Sequence, residues 1–412
     1  MPAHLRSPRR PFAGRRVVLG VTGGIAAYKA AQLARDLTLA GAEVDVVLTR
    51  GALEFVQPLT FEALTGRAAH TLAHRPGEPL LHIRLAKEAD LVVVAPATAD
   101  FLARAAAGMA DDLLTAILLA TSAPILLAPA MNDRMYAHPR TQANLAVLAA
   151  SGYSVAGPGV GPLAWGEGEG PGRMLETDEI LAHCGRALEI DQPLAGRLLL
   201  VTAGPTREAI DPVRFIGNRS SGRMGYAIAA SAWRRGAQVC LLTGPTSLAP
   251  PVGVEVVQVE TAAEMKEAVA ARLPLSDALV MAAAVADFRP ASPVAQKVKK
   301  GVGAPELILE PTADVLRSTR ALRPDGCVVV GFALETESAV EHGREKLVDK
   351  GLDLLVVNDA REPGAGFEVT TNRVTILHRD GTAVDLPLLS KDEVANEILD
   401  RLDLLLPAAS AE

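Results

Sequence analysis

The chain has 412 residues, 49% of them hydrophobic and 22% charged, with a formal net charge of −7. It is too long for one ordinary core and too apolar for a disordered chain, and its acidic balance speaks against general nucleic-acid binding. Three cysteines, Cys184, Cys240 and Cys327, are odd in number and widely spaced, so they form no disulfide framework and suit a reducing cytoplasm.

Two stretches mimic targeting or membrane signals. Arg6, Arg9, Arg10, Arg15 and Arg16 precede the apolar run VVLGVTGGIAA, but Gly23-Gly24 interrupts that run and a helical pattern follows. Residues 113–131 carry no charge, yet Ser122-Ala123-Pro124 divides them into a helix and a strand, so they read as buried core and not as a membrane span.

In chain order, residues 17–22 read as a strand, Gly23-Gly24 as a turn, 25–40 as a helix stopped by Gly41, and 43–49 as a second strand. Helices are expected at 58–65 and 82–88, with a polar loop over 66–80 holding His70 and His74. The runs 91–100 (LVVVAPATAD) and 125–132 (ILLAPAMN) are continuous apolar segments, the mark of parallel strands covered on both faces. Helices at about 99–107, 111–121 and 138–150, a strand at 153–157, a Gly/Pro-rich loop over 157–172 and a helix at 177–189 complete a first α/β half. The pattern restarts after Asp191-Gln192-Pro193. Strands are expected at 197–202, 238–243, 277–284, 326–331, 353–358 and 373–378, with helices at 226–235, 261–272, 337–350 and 390–404. A polar loop runs to Gly225, and another over 289–304 holds Lys297, Lys299 and Lys300. The fold class is α/β, as two Rossmann-like parallel-sheet domains in tandem. The expected divisions are a basic extension over 1–14, a first domain over 15–190 and a second over 191–412.

Ligands of open α/β sheets sit outside the carboxyl ends of the strands. Thr22, Gly23 and Gly24 end the first strand, where glycines admit a phosphate to a helix N-terminus, and Thr49 ends the second. No Walker A motif occurs, and the glycine spacing does not fit a dinucleotide fingerprint, so a mononucleotide phosphate fits better than a pair of NAD-binding domains. Pro96, Ala97 and Thr98 follow the third strand. Asn132 follows the fourth, where an amide either orients a carboxylate or caps a turn. His82 is either structural or catalytic, and the pair His70 and His74 has ligand spacing without a third ligand. In the second half, TAGPTREAIDPVRFIGNRSSGRMG joins Arg207, Arg214, Asn218 and Ser220-Ser221-Gly222 into an anion cradle. Asp287 ends a strand, where it suits a ribose, a magnesium ion or a turn cap.

These motifs together, with Ala95–Asp100, Ala107–Leu113 and Pro129–Asn132, resemble the flavin-dependent cysteine decarboxylases in the first half. With the second half they resemble, over roughly residues 15–405, the bifunctional phosphopantothenoylcysteine decarboxylase/phosphopantothenate–cysteine ligases of coenzyme A biosynthesis. The resemblance implies a flavodoxin-like flavin domain followed by a ligase domain. It implies FMN as cofactor near Pro96–Asp100, His82 as the catalytic histidine and Asn132 as the contact of the substrate carboxylate. FMN would oxidise the cysteinyl thiol to a thioaldehyde, carbon dioxide would leave, and reduced flavin would return the electrons. In the ligase it implies Lys297 as the catalytic lysine, Arg214, Asn218 and Ala284 as contacts of phosphopantothenate or its activated form, and Phe332, Lys346 and Lys350 as nucleotide contacts. The implied partners are CTP with Mg2+, 4′-phosphopantothenate, cysteine and 4′-phosphopantothenoylcysteine, and the acyl-cytidylate is the implied intermediate. No nucleic acid and no membrane are implied. The implied assembly is a homo-oligomer of trimeric flavin domains and dimeric ligase domains in the cytoplasm. One departure stands out: Trp165 occupies the place of the family's proton-donating cysteine, and indole cannot be the acid. Glu167, Glu169 or the more remote Cys184 are the alternatives. A lid role for Trp165, a ligase whose first domain completes decarboxylation poorly, and a non-catalytic flavin-domain regulator are the other readings.

Overall fold

Runs of Val and Leu with no polar interruption need cover on both faces, and they get it. The computed structural model describes residues 10–71, 78–298, 307–335, 339–359 and 371–407. The chain divides into two units, Arg10–Ile190 and Asp191 onward.

The first unit runs β1 (Arg16–Val21), α1 (Ala27–Leu39), β2 (Glu43–Leu48), α2 (Pro58–Thr65), α3 (Leu81–Glu88), β3 (Leu91–Ala97), α4 (Ala99–Ala106), α5 (Leu113–Ala120), β4 (Ile125–Pro129), α6 (Asp133–Ala137), α7 (Pro139–Ala150), β5 (Ser154–Val155), β6 (Gly159–Pro162), β7 (Glu169–Arg173) and α8 (Thr177–Leu188). The sheet is parallel in the order β2-β1-β3-β4-β5, the flavodoxin-like winding with its switch point between β1 and β3. Alternate residues feed two cores. Leu19 and Val21 pack with Leu33, Leu37 and Ile180 on one face, and Val18 with Phe101, Leu114 and Leu127 on the other. Each buried leucine contributes about 1.5–3 kcal/mol relative to exposure. The Gly/Pro-rich stretch expected as a loop is the antiparallel hairpin β6–β7. Its residues have poor strand propensity, and their ladder, not their composition, makes the strands. His70 is buried, not solvated, because its backbone bridges to β2 through Val46. His74 lies outside the described residues.

The second unit runs β8 (Leu198–Ala203), β9 (Arg207–Ala209), β10 (Phe215–Gly217), α9 (Arg223–Arg234), β11 (Gln238–Thr243), β12 (Glu255–Gln258), α10 (Ala262–Arg272), β13 (Ala278–Met281), β14 (Phe288–Pro290), β15 (Leu309–Pro311), α11 (Val315–Ser318), β16 (Val328–Glu335), α12 (Ala339–Asp349), β17 (Leu354–Asp359), β18 (Thr371–Asn372), β19 (Val374–His378), β20 (Ala383–Asp385), β21 (Leu389–Ser390) and α13 (Lys391–Leu405). Six parallel strands in the order β12-β11-β8-β13-β16-β17 repeat the 3-2-1-4-5-6 winding, and antiparallel β19 and β20 extend that sheet. The polar loop expected up to Gly225 contains the hairpin β9–β10, and α9 starts three residues earlier than its apolar pattern indicates. α13 is anchored by a reciprocal cap between Ser390 and Glu393 and by the fully buried Arg235, whose guanidinium meets Asp400 at 2.9 Å. Among the described residues no helix is long and apolar enough to cross a membrane.

Candidate active sites

Four strand ends of the first unit open onto one cavity of about 1030 Å³. Thr22, Gly23 and Gly24 after β1, Thr49 after β2, Thr98 after β3 and Asn132 after β4 all line it. The loops are cross-tied. The Thr22 hydroxyl donates to the Pro96 carbonyl at 2.7 Å and accepts from the Thr98 amide at 3.2 Å. Thr98 caps α4. Pro96 and Ala97 therefore support the wall from beneath and are not part of it. Gly23 is needed for a reason the sequence does not show: a Cβ there would lie 2.7 Å from the Gly51 backbone, so the first two loops meet through bare glycine.

The Asn132 side chain caps α6 by accepting from the Arg134 amide at 2.9 Å. The hairpin closes against this loop, with the Met131 amide donating to the Gly172 carbonyl at 2.9 Å. A Cβ on Gly172 would lie 2.2 Å from the Met131 carbonyl oxygen. Pro162, Leu163, Ala164 and Glu167 of the hairpin line the cavity, while Trp165 at the tip is fully exposed and outside it. Glu169 also lies outside. Cys184 sits in the core of α8, 0% exposed, and burial pushes its thiol far above the usual range. His82, half-buried at the start of α3, does not line the cavity.

Three lining features escape local sequence reading. Arg104 gathers Asp100, Asp111 and Asp112 at 3.1, 3.2 and 2.7 Å. Desolvation opposes ionisation of Asp112, but donors from Thr115 and Arg104 outweigh it and hold its carboxyl below the usual value. Lys29 is buried and joins Glu176 at 2.9 Å. Arg173 binds the same carboxylate.

The second unit has its own cavity, of about 440 Å³, at the ends of β13, β16 and β17. It gathers Asn218, Ala284, Asp287, Phe332, Lys346 and Lys350 from a span of more than a hundred residues. The Asn218 amide donates to the carbonyls of Ala284 and Val285 at 3.2 and 3.1 Å. Lys350 pairs with Asp314 at 3.1 Å. Ser220, Ser221 and Gly222 line the wall at the start of α9, as does Arg223. Three cations from the sequence motifs do not line it. Arg214 pairs with Asp211 at 3.1 Å, Arg207 lies 4.6 Å from the Phe215 ring centroid, and Lys297 is exposed on its loop. Lys299 and Lys300 lie outside the described residues. Asn358, Asn372 and Lys391 line the cavity without any local motif to mark them. Burial, aided by Arg223, lowers the Lys391 ammonium to about 8. Among the described residues no group of three or more His, Cys, Asp or Glu could hold a metal ion.

A family model described as Flavoprotein matches residues 5–188. A second, described as DNA/pantothenate metabolism flavoprotein C-terminal domain, matches residues 194–405. The coenzyme A biosynthesis bifunctional protein CoaBC of Mycobacterium bovis is 48% identical over 428 residues, which cover 100% of both chains. The chain belongs to the CoaBC family. The CoaBC of Vibrio vulnificus is 46% identical over 399 residues, covering 96% of this chain and 99% of its own. The crystal structure of the C-terminal domain of a CoaBC matches with 42% identity and a TM-score of 0.45, covering 52% of this chain and 97% of that domain. As a CoaBC family member, the chain is a bifunctional enzyme of coenzyme A biosynthesis with decarboxylase and ligase activities.

Proposed function

We propose that the first unit binds FMN in its large cavity and decarboxylates 4′-phosphopantothenoylcysteine to 4′-phosphopantetheine. The observation that carries this reading is the convergence of Thr22, Gly23, Gly24, Thr49, Thr98 and Asn132 on one cavity at the β1/β3 switch point. The α1 N-terminus there has no acidic residue in its first turn, which suits a phosphate. Ile25, Met131 and Met135 offer apolar surface to a ring system. FMN, when bound, supplies the two-electron chemistry. The protein residues orient the substrate carboxylate through Asn132, exclude water with the hairpin, and bring a proton. His82 does not line this cavity in its own chain, and this reading has it act at the contact with a second copy, in a homotrimer of flavin units. With Trp165 unable to donate and Cys184 buried, Glu167 is the acid of this reading. It is the cavity-lining carboxyl without an ion pair among the described residues.

In the second unit, the carboxylate of 4′-phosphopantothenate attacks the α-phosphate of CTP and expels pyrophosphate, and cysteine's amine then displaces CMP from the acyl-cytidylate to form the amide. Phe332, Lys346 and Lys350 hold the nucleotide, and Asn218 and Ala284 hold the activated acid, a grouping supported by their shared cavity. Asp287 takes the ribose or meets the metal. Lys297 and Arg214 act from the loop beside it, where the Arg214 guanidinium donates to the Val298 carbonyl at 3.3 Å. Mg2+ arrives on the triphosphate, which needs few protein ligands. The setting is the cytoplasm, with the ligase units paired as dimers.

The test is direct. Purified protein is yellow, consumes CTP with phosphopantothenate and cysteine, and releases carbon dioxide. Protein that neither contains nor takes up flavin refutes the first assignment. Glu167→Gln yields a product two hydrogens short of phosphopantetheine, read by mass. If the unaltered enzyme makes that product too, the first unit stops at oxidation and carbon dioxide loss.

A further inference from the structure

Beside the first cavity lies a second cleft of about 480 Å³. Tyr28, Lys29 and Arg173 line both spaces. The cleft adds Arg35 and Glu176. Its charge is lopsided: three cations face one carboxylate. Lys29 and Arg173 both bond the same Glu176 oxygen. Lys29 leads in holding that carboxyl below its usual range and Arg173 adds to it, so the acid stays ionised and offsets only one of the three charges. Arg35 is exposed and makes no ion pair among the described residues. One of the cations, Lys29, is buried, so its charge is poorly screened.

We propose that this cleft is the subsite for the phosphate monoester of the decarboxylase substrate, held by Lys29, Arg35 and Arg173. The inference rests on the decarboxylase reading of the first unit. A dianionic phosphate suits a fork of guanidinium donors beside a buried ammonium. The placement also suits a ligand with anions at both ends. Gly172 bonds the Met131–Asn132 loop, where the substrate carboxylate is read, and the next residue, Arg173, reaches the cleft. A substrate gripped at both points spans the shared wall. The flavin carries a phosphate monoester too, but the glycine turn and the α1 N-terminus already offer it a separate seat.

The experiment uses the full chain and its Arg35→Ala, Arg173→Ala and Arg173→Lys variants. Decarboxylation is measured with phosphopantothenoylcysteine and with its unphosphorylated analogue. Calorimetry follows the binding of phosphopantetheine and of pantetheine, and fluorescence titration follows FMN. CTP-dependent ligation reports that the chain is intact. The alanine variants are expected to shrink the preference for the phosphorylated ligand at least tenfold, in KM and in binding, with FMN affinity unchanged in Arg35→Ala, which lines the cleft alone, and with partial rescue by Arg173→Lys. Equal losses on both ligands overturn the proposal. Weaker FMN binding with the preference intact overturns it too, and gives the cleft to the flavin phosphate. If the unaltered enzyme decarboxylates neither compound, the functional reading fails, while the calorimetric preference still decides the subsite.

Discussion

The contact between Gly23 and Gly51 makes a quantitative prediction for Gly23→Ala. The added Cβ would sit 2.7 Å from the Gly51 carbonyl carbon and 2.8 Å from its Cα and oxygen. Ordinary contact begins near 3.4 Å, so the two loops must part by about 0.7 Å. Gly23 is not among the positive-φ glycines, so alanine meets no backbone strain and the effect is steric. The neighbour is backbone and cannot swing aside. Overpacking of this kind costs about 1–3 kcal/mol. The displaced atoms form the cavity wall, so the cost falls on flavin binding, a loss of roughly 5- to 150-fold. Gly24→Ala is the internal comparison, since its Cβ would lie 3.4 Å from the Thr98 methyl, and it is expected to lose far less. FMN fluorescence titration of both variants reads the difference. Equal affinities for Gly23→Ala and the unaltered chain, or equal losses for the two variants, would refute the steric reasoning.

Three further outcomes are expected. Cys184→Ala leaves the mass of the decarboxylation product unchanged, because the buried thiol is not the acid; a product two hydrogens short reverses that conclusion. Arg235→Ala destabilises the second unit by about 3–5 kcal/mol, since it removes one partner of a pair that is 0% and 22% exposed. Its ligase activity is then lost at a lower temperature than flavin is released. Lys391 titrates near 8 when folded against 10.5 otherwise, so the folded state releases the proton first. The Lys391 contribution to stability therefore rises between pH 8 and 10.5, by up to about 3 kcal/mol, and Lys391→Met removes that contribution from the pH profile. Denaturant midpoints at pH 7, 8, 9 and 10 check it, and parallel curves for the two proteins refute it.

What the sequence discloses follows from how far apart the partners lie. β1, β3 and β4 are legible because continuous apolar runs of five to seven residues suit little else than doubly covered strands. The glycine turn and the Asn132 loop are legible because strand ends carry ligands. Lys29 is not legible: its partner Glu176 is 147 residues away, and in the sequence it is one more lysine on a helix. Lys391 is hidden in the same way, as the first residue of an ordinary capped helix. The β6–β7 hairpin is hidden for a different reason, since its glycines and prolines signal a loop and only the ladder between its strands reveals otherwise. Arg207 misleads because a cation in an anion cradle looks free until Phe215 is seen beside it.

The two asparagines that line the cavities are wired in opposite senses. Asn132 spends its carbonyl oxygen on the Arg134 amide, so what it can turn to a ligand is its NH2 group. Asn218 spends its NH2 on two carbonyls, so what it can turn to a ligand is its oxygen. One side-chain type thus reads opposite chemistry in the two units. The first asparagine selects an acceptor such as a carboxylate, and the second selects a hydroxyl or N–H. Neighbouring backbone, not the residue's identity, sets that polarity. Aspartate, a near-isostere of both, would invert the first reading and, at the second, would set a carboxylate oxygen against the two carbonyls that the amide now binds.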